Sequence, residues 1–521
     1  MPPKPKRPPV NRKPLDREPR LPSPVVLADG TGRVLDPSTA LRTEPADLRP
    51  TVYVGARLLI SNRVDVDDKL RMLQDVADGF GWKAELEAMD ERLASLPFGV
   101  RTVRLVISKH DVYVAPNAWA VLEQARSKFG AQALRGVSLD HVVLARRVGP
   151  DPVESPHPVE SPHPVESPHP AGSAAASTYG LPGWGGRQPV AYVGPAPARS
   201  AKVAGRRPVV AILDTGCFFN HPWLKGAVDT KVTLDGLPIG YDDPATDPEF
   251  HGDLDGILDG MLDPYAGHGT FIAGLVHQGC PDADILSWRI VPSFGSLVER
   301  DWIIALAQIL ELVRRHEAGD PGGRAIDVLS LSMGYYHESP ADALLDPIIQ
   351  SIMEEFGRLG TIVVCSAGND STSRPSYPAA FAPWADNKGP VKRHHDRVPL
   401  VSVGARNPSD ESDAMFSNAG PWVRTYAPGA ALLSTMPPYN AAGMPFARTK
   451  VFGRWRETID PDDFRGGFAV WSGTSFAAPL LAGRLAAALG RLPAEGAKPN
   501  LRATVDRAWK VVTAETGIKR P

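Results

Sequence analysis

The spacing of hydrophobic positions changes repeatedly along this chain, and the changes divide it. Before Thr51 no apolar period is sustained. Residues 1–50 are rich in Pro, Arg and Asp and predict a disordered basic arm. Val52–Ile60 reads as a strand, and Val66–Phe80 carries Leu70, Leu73, Val76 and Ala77 at helical spacing. Trp82–Glu87 alternates weakly and Val103–Ile107 more firmly, as strands. Pro116–Phe129 predicts a helix opening on its proline, where the missing N–H costs least, and His141–Ala145 a closing strand. Strand-helix-strand-strand-helix-strand is the order of a small ferredoxin-like α/β plait, here over residues 51–147. Order alone is compatible with a regulatory module, a binding module or an inhibitory segment.

The periodicity then stops. From Pro152 to His169 the hexamer Pro-Val-Glu-Ser-Pro-His occurs three times without interruption. Its proline density, with the Gly, Ala, Ser and Pro that follow, assigns residues 148–205 to an extended linker. His157, His163 and His169 in this tract read as solvated side chains rather than metal ligands.

From Arg207 onward, short apolar runs alternate with amphipathic helices, which predicts an α/β domain over 206–521 with a mostly parallel sheet covered on both faces. The runs are Val209–Leu213, Ile285–Ile290, Ile326–Leu331, Thr361–Cys365 and Leu400–Gly404. Helices are expected at Trp302–His316, about 341–359, and behind Ser475.

Composition narrows the partners. With 521 residues and a formal net charge of −2, nothing asks for nucleic acid. No apolar run is long enough to span a membrane. The basic, proline-rich start has no apolar segment behind it, so no Sec-type leader is expected. Three cysteines, Cys217, Cys280 and Cys365, argue against a disulfide framework and for a cytoplasmic protein with packing thiols.

Three distant segments place a polar residue among small ones at the edge of an apolar run. Asp214 ends a strand, at the edge where open parallel sheets bind ligands. An Asx turn is the ordinary alternative for Asp-Thr-Gly. His268 lies between Gly267 and Gly269 at a helix start. Ser475 follows Ser472-Gly473-Thr474 at the first turn of a helix, where free N–H groups favour developing negative charge. A serine hydroxyl is a poor nucleophile until a base takes its proton, and that base needs a carboxylate to fix its tautomer.

Ala211-Ile212-Leu213-Asp214-Thr215-Gly216, Gly267-His268-Gly269-Thr270-Phe271-Ile272-Ala273-Gly274 and Ser472-Gly473-Thr474-Ser475-Phe476-Ala477-Ala478-Pro479 resemble the aspartate, histidine and serine motifs of subtilisin-like serine proteases, the subtilases. They occur in that family's order, and the resemblance spans about Arg207 to Leu492. It implies a subtilisin-like three-layer fold and a serine endopeptidase with Asp214, His268 and Ser475 as its triad, acting on polypeptides through an acyl-enzyme. Ser366-Ala367-Gly368-Asn369 resembles the family segment whose asparagine donates to the oxyanion, which implies Asn369. Ser332-Met333-Gly334 resembles the strand that pairs with substrate backbone, and Ala367 and Gly368 are implied to line the same site. Phe271 stands where many relatives have a second histidine.

The N-terminal plait resembles in outline the pro-segments that chaperone and inhibit subtilases. That implies an inhibitor built into the chain, with the tail after Arg147 entering the cleft; the rival is a permanently attached regulatory domain. A non-catalytic peptide-binding module on the same scaffold is the alternative to catalysis. The chemistry needs no cofactor. Subtilases often hold structural calcium, but Asp242, Asp243, Asp247, Asp253, Asp255, Asp259 and Asp263 lack a full calcium-loop spacing, so no metal is assigned and a solvated acidic loop is expected. An insertion at Tyr439–Gly467 carries no assigned role.

Overall fold

A computed structural model describes residues 32–42, 48–109, 113–145, 178–254, 260–339, 348–439, 447–492 and 500–521, with isolated positions 19, 148 and 445. The hexamer repeat lies outside the described residues, as does most of the N-terminal arm.

The N-terminal unit contains β1 (Gly32–Leu35), β2 (Thr51–Ser61), α1 (Val66–Ala77), β3 (Trp82–Leu86), β4 (Val100–Ile107), α2 (Ala118–Phe129) and β5 (Val137–Ala145). Its strands run in the order β5–β2–β4–β3, antiparallel throughout. Side chains alternate across the sheet. Leu58 and Ile60 of β2 join Leu73, Val76 and Leu122 in a core with the two helices, while Leu59 between them turns the other way. That second face does not meet water. Leu59, Val100, Val143 and Ala145 belong to one apolar cluster with Trp302, Ile303, Leu306 and Leu310 of the larger unit.

The larger unit opens with β6 (Gln188–Pro189), β7 (Val209–Asp214), β8 (Val228–Asp229), α3 (His268–Gly279), β9 (Asp284–Arg289), β10 (Ser296–Val298) and α4 (Glu299–Ala318). It continues through β11 (Val328–Leu331), β12 (Met333–Gly334), α5 (Ile348–Arg358), β13 (Ile362–Ser366), β14 (Val401–Arg406), β15 (Thr425–Pro428) and β16 (Leu432–Thr435). It ends with β17 (Arg448–Val451), β18 (Arg454–Glu457), β19 (Phe468–Trp471), α6 (Thr474–Arg491) and α7 (Leu501–Thr516). A 7-stranded sheet in the order β15–β14–β13–β11–β7–β9–β8 is parallel at every pairing.

Burial on both faces is why its strands read as unbroken apolar runs. On β7, Val210 and Ile212 share a cluster with α3, α6 and α7, while Ala211 and Leu213 share the opposite one with α4 and α5. The result is a three-layer α/β unit whose strand ends converge on one edge.

The structure corrects several sequence-based boundaries. Residues 32–35, expected in the arm, add an edge strand to β2. Residues 178–205, expected in the linker, lie on the larger unit: β6 pairs with β19, Tyr179 packs edge-on to Phe416 with centroids 5.0 Å apart, and Ser472 Oγ donates to the Gly185 carbonyl at 2.7 Å. Composition hides this because the contacts are made by backbone and isolated aromatics. β5 starts four residues earlier than His141, where Val137 and Leu139 already face the plait core. Helix α4 starts at Glu299 rather than Trp302, its first turn supplied by Glu299 and Asp301, which complement the helix dipole. The insertion at 439–467 contains the exposed hairpin β17–β18.

Candidate active site

The site forms where β7 and β13 end and α3 and α6 begin. Asp214 is the last residue of β7, and its main-chain carbonyl accepts from the N–H groups of Ile290 and Val291, which fixes the turn. Helix α3 begins on His268. A Cβ on Gly269 would lie 2.1 Å from the Gly216 carbonyl oxygen, so only glycine lets the helix start this close to the Asp214 turn. His268 Nδ1 lies 2.6 Å from Asp214 Oδ1, both side chains being buried. That oxygen also accepts from Thr215 N at 2.8 Å. The carboxylate partner puts the imidazole proton on Nδ1 and leaves Nε2 as the basic atom. Nε2 is buried and has no hydrogen-bond partner.

Ser475 lies in the first turn of α6. Pro479 lacks an N–H, so the Ser475 carbonyl loses its donor four residues on. Ser332 replaces it: its Oγ donates to that carbonyl at 2.9 Å, while Ser475 Oγ lies 3.3 Å from the Ser332 carbonyl. The helix start is therefore tied to the residue before β12. Phe476 packs against His268, centroids 5.1 Å apart, and against Phe271 at 4.5 Å, so the aromatic at 271 completes a wall with Trp471.

Asn369 accepts at Oδ1 from Thr474 N at 2.9 Å and Thr474 Oγ1 at 2.8 Å. Those two donors fix the amide's orientation. Its Nδ2 is buried without a partner, beside the Ser475 turn. Ala367 and Gly368 form wall rather than free edge. Ala367 donates to Val403 and accepts from Asn418, and Gly368 donates to Thr474 Oγ1 and accepts from Asn418 N.

Met333 and Gly334 are paired. β12 runs antiparallel to β5, with Met333 opposite Ala145 and Gly334 opposite Leu144. On its other side β5 pairs with β10, Ser296 opposite Leu144 and Val298 opposite Val142. The end of the plait's last strand thus lies between two strands of the larger unit, at the edge expected for substrate. Residues 142–145 occupy this edge because β5 is 9 residues long and reaches from plait to cleft, while the tail expected after Arg147 lies, Val148 apart, outside the described residues as far as 177. Beyond it, Val148 is buried in the apolar cluster shared with α3 and α6. Sequence reading missed β10, whose three residues run directly into α4 and give no pattern of their own.

At the same junction His141 of β5 is buried between two carboxylates of the larger unit. Its Nδ1 lies 2.5 Å from Glu299 Oε2 and its Nε2 2.8 Å from Glu338 Oε2. Burial alone would lower its pKa, but Glu299 and Glu338 outweigh that and raise it to about 10. His141, His337 and Glu338 are also, among the described residues, the group close enough to hold a metal ion. Arg126 and Arg374 add positive charge beside them.

Of the acidic segment, Asp255 and Asp259 lie outside the described residues, and described carboxylates are used locally. Asp243, Asp247, Asp253 and Asp263 accept backbone N–H groups of Ala245, Glu249, Gly260 and Leu254. Among the described residues they form no group at metal-ligating distance.

The description of the subtilase family matches residues 205–519, well over half the chain. The chain belongs to the subtilase family. Its curated relatives include the intracellular serine protease of Paenibacillus polymyxa, 29% identical over 306 residues, covering 56% of this chain and 69% of that protein. The major intracellular serine protease of Bacillus subtilis (strain 168) is 26% identical over 307 residues, covering 56% and 71%. Among solved structures, fervidolysin from Fervidobacterium pennivorans aligns with 86% of this chain and 57% of its own at 18% identity and a TM-score of 0.43. As a subtilase, the protein is a subtilisin-like serine endopeptidase. No helix among the described residues is long and apolar enough to cross a membrane.

Proposed function

We propose that this subtilase cleaves peptide bonds with Ser475 as nucleophile, His268 as general base, and Asp214 as the group that orients His268 and stabilises its imidazolium. Its own N-terminal plait restrains it. His268 Nε2 takes the Ser475 proton as Oγ attacks the scissile carbonyl, then returns it to the leaving amine. The oxyanion meets Asn369 Nδ2 and the Ser475 backbone N–H at the start of α6. A preorganised donor of this kind is typically worth about a hundred- to a thousandfold in rate. Water resolves the acyl-enzyme by the same proton path in reverse.

The observation that carries the restraint is the double pairing of β5. A substrate adding a strand at this edge needs the backbone groups of β10 and β12 that Val142–Ala145 occupy. The substrates it displaces are extended polypeptides. Helping hold it are the apolar face around Leu59 and Val100 and the His141 clasp. A cytoplasmic setting fits the buried thiols of Cys217, Cys280 and Cys365, whose pKa burial raises, and fits the relatives named as intracellular.

Intact mass of wild type and Ser475→Ala, followed over time beside fluorophosphonate labelling, tests this. Loss of an N-terminal fragment by wild type alone makes the chain a self-processing zymogen. Two whole proteins with slow labelling of wild type make the plait a permanent regulator. Absence of any adduct on Ser475 under all conditions would overturn the catalytic reading.

A further inference from the structure

Glu249 is a charged side chain that the mechanism above leaves unused, and it touches both elements that carry the acid and the base. It is wholly buried. Its Oε1 accepts from Thr215 Oγ1 at 2.5 Å and Gly269 N at 3.1 Å. Its Oε2 accepts from Thr270 Oγ1 at 2.5 Å and Thr270 N at 3.3 Å. Thr215 follows Asp214, and Gly269 and Thr270 follow His268. One carboxylate therefore ties the residue after the acid to the residues after the base.

The proton inventory gives this tie a consequence. Thr215 has a single hydroxyl proton and two acceptors in reach, Glu249 Oε1 at 2.5 Å and Asp214 Oδ1 at 3.2 Å. Its oxygen meanwhile accepts the Gly269 N–H at 2.7 Å. Asp214 Oδ1 is the atom that holds His268 Nδ1. With an ionised carboxylate at 249, the hydroxyl proton goes to the nearer and charged acceptor. Without it, that proton turns to Asp214 Oδ1 and competes with the imidazole.

We propose that Glu249 is a positioning residue for proton transfer at Ser475, locking the Asp214 turn to the start of α3 and drawing the Thr215 hydroxyl proton away from Asp214. This assignment rests on the Asp214–His268–Ser475 reading. The ionisable groups facing Glu249 are Asp214 at the end of β7, Cys217 in the turn after it, Asp247 in its own loop and Tyr439 after β16. Burial lifts Glu249 to about 7 against the two threonine hydroxyls, which pull it down. As pH falls through that value Glu249 gains a proton; carried on Oε1, it donates to Thr215 Oγ1, and the Thr215 hydroxyl proton then turns to Asp214 Oδ1. The acid limb of kcat therefore contains a second protonation besides that of the base.

The test measures kcat, KM and thermal unfolding of the full chain across the acid and neutral range for wild type, Glu249→Gln, Thr215→Val and the double variant, normalised to Ser475 labelled by a fluorophosphonate. Glu249→Gln is expected to lower kcat about 10- to 100-fold with KM within about twofold, and to reduce the acid limb from two protons to one. In the Thr215→Val background the same change adds little, because both act through one hydrogen bond. An unchanged kcat with only a lower Tm, or losses that multiply in the double variant, overturns the proposal. If Glu249→Gln does not fold, Thr215→Val alone decides: a one-proton acid limb supports the proposal and a retained two-proton limb overturns it. Turnover retained by Ser475→Ala, or an adduct elsewhere, would instead strike the triad reading and leave these ratios without a base to refer to.

Discussion

Two histidines in this protein are equally hidden, His268 and His141, each 1% exposed. Each meets a carboxylate through Nδ1, at 2.6 Å to Asp214 and 2.5 Å to Glu299. They differ at the other nitrogen. His268 Nε2 has no partner, whereas His141 Nε2 lies 2.8 Å from Glu338. With a carboxylate at each nitrogen raising its pKa to about 10, His141 is held as an imidazolium that donates on both sides. The same ring is a base where one nitrogen is left open, and a clasp where both are engaged. Burial is common to both; the partner count separates chemistry from docking.

The largest effect is expected on the open side. Asp214→Asn keeps the shape but supplies the wrong hydrogen-bond polarity at Nδ1, and is expected to lower kcat about ten-thousandfold, read on a peptide substrate. Asn369→Ala removes the other open polar atom; a loss of about a hundred- to a thousandfold in kcat with little change in KM is expected. On the saturated side, His141→Leu leaves Glu299 and Glu338 buried without the imidazolium that bridges them. Breaking such a pair typically costs about 3–5 kcal/mol, so the plait is expected to open a hundredfold or more often. Faster Ser475 labelling of the intact chain reads this, while the rate of the opened enzyme stays unchanged.

The smallest and most graded effect is pH. Because His141 is raised from its ordinary value to about 10, docking gains its full contribution below about 6.5 and loses it as pH rises through about 10. Each unit in that window weakens docking by up to about tenfold. Asp140, lifted by burial to about 7, has the same sign at lower pH. Glu338, held below the ordinary carboxylate range by His337 and His141 against its own burial, sets the opposite limit in acid. Latency measured across this range is expected to fall toward alkaline pH in wild type, and to show no His141-dependent fall in His141→Leu.

What was legible in the sequence follows from contact distance along the chain. The motifs around Asp214, His268 and Ser475 are local: small residues beside a polar one at the end of an apolar run, each visible in a window of a few residues. The parallel sheet was legible because burial on both faces erases polar positions from its strands. The clasp was not, since His141 meets partners 158 and 197 residues away and nothing near it in sequence announces them. Glu249 was lost in an acidic stretch, its role visible only once Thr215 and Thr270 fold around it. Residues 178–205 misled because Gly, Pro and Ala look alike in a linker and in a close-packed surface segment.

The most direct single measurement is the rate at which a fluorophosphonate labels Ser475 in the intact, full-length chain, wild type against His141→Leu, at weakly acidic and at alkaline pH. Expected are slow labelling of wild type near the acidic end, a steep rise toward alkaline pH, and a variant that labels faster than wild type already at the acidic end. Equal rates for the two proteins at every pH would contradict this, showing that the His141 clasp does not hold strand β5 over Ser475.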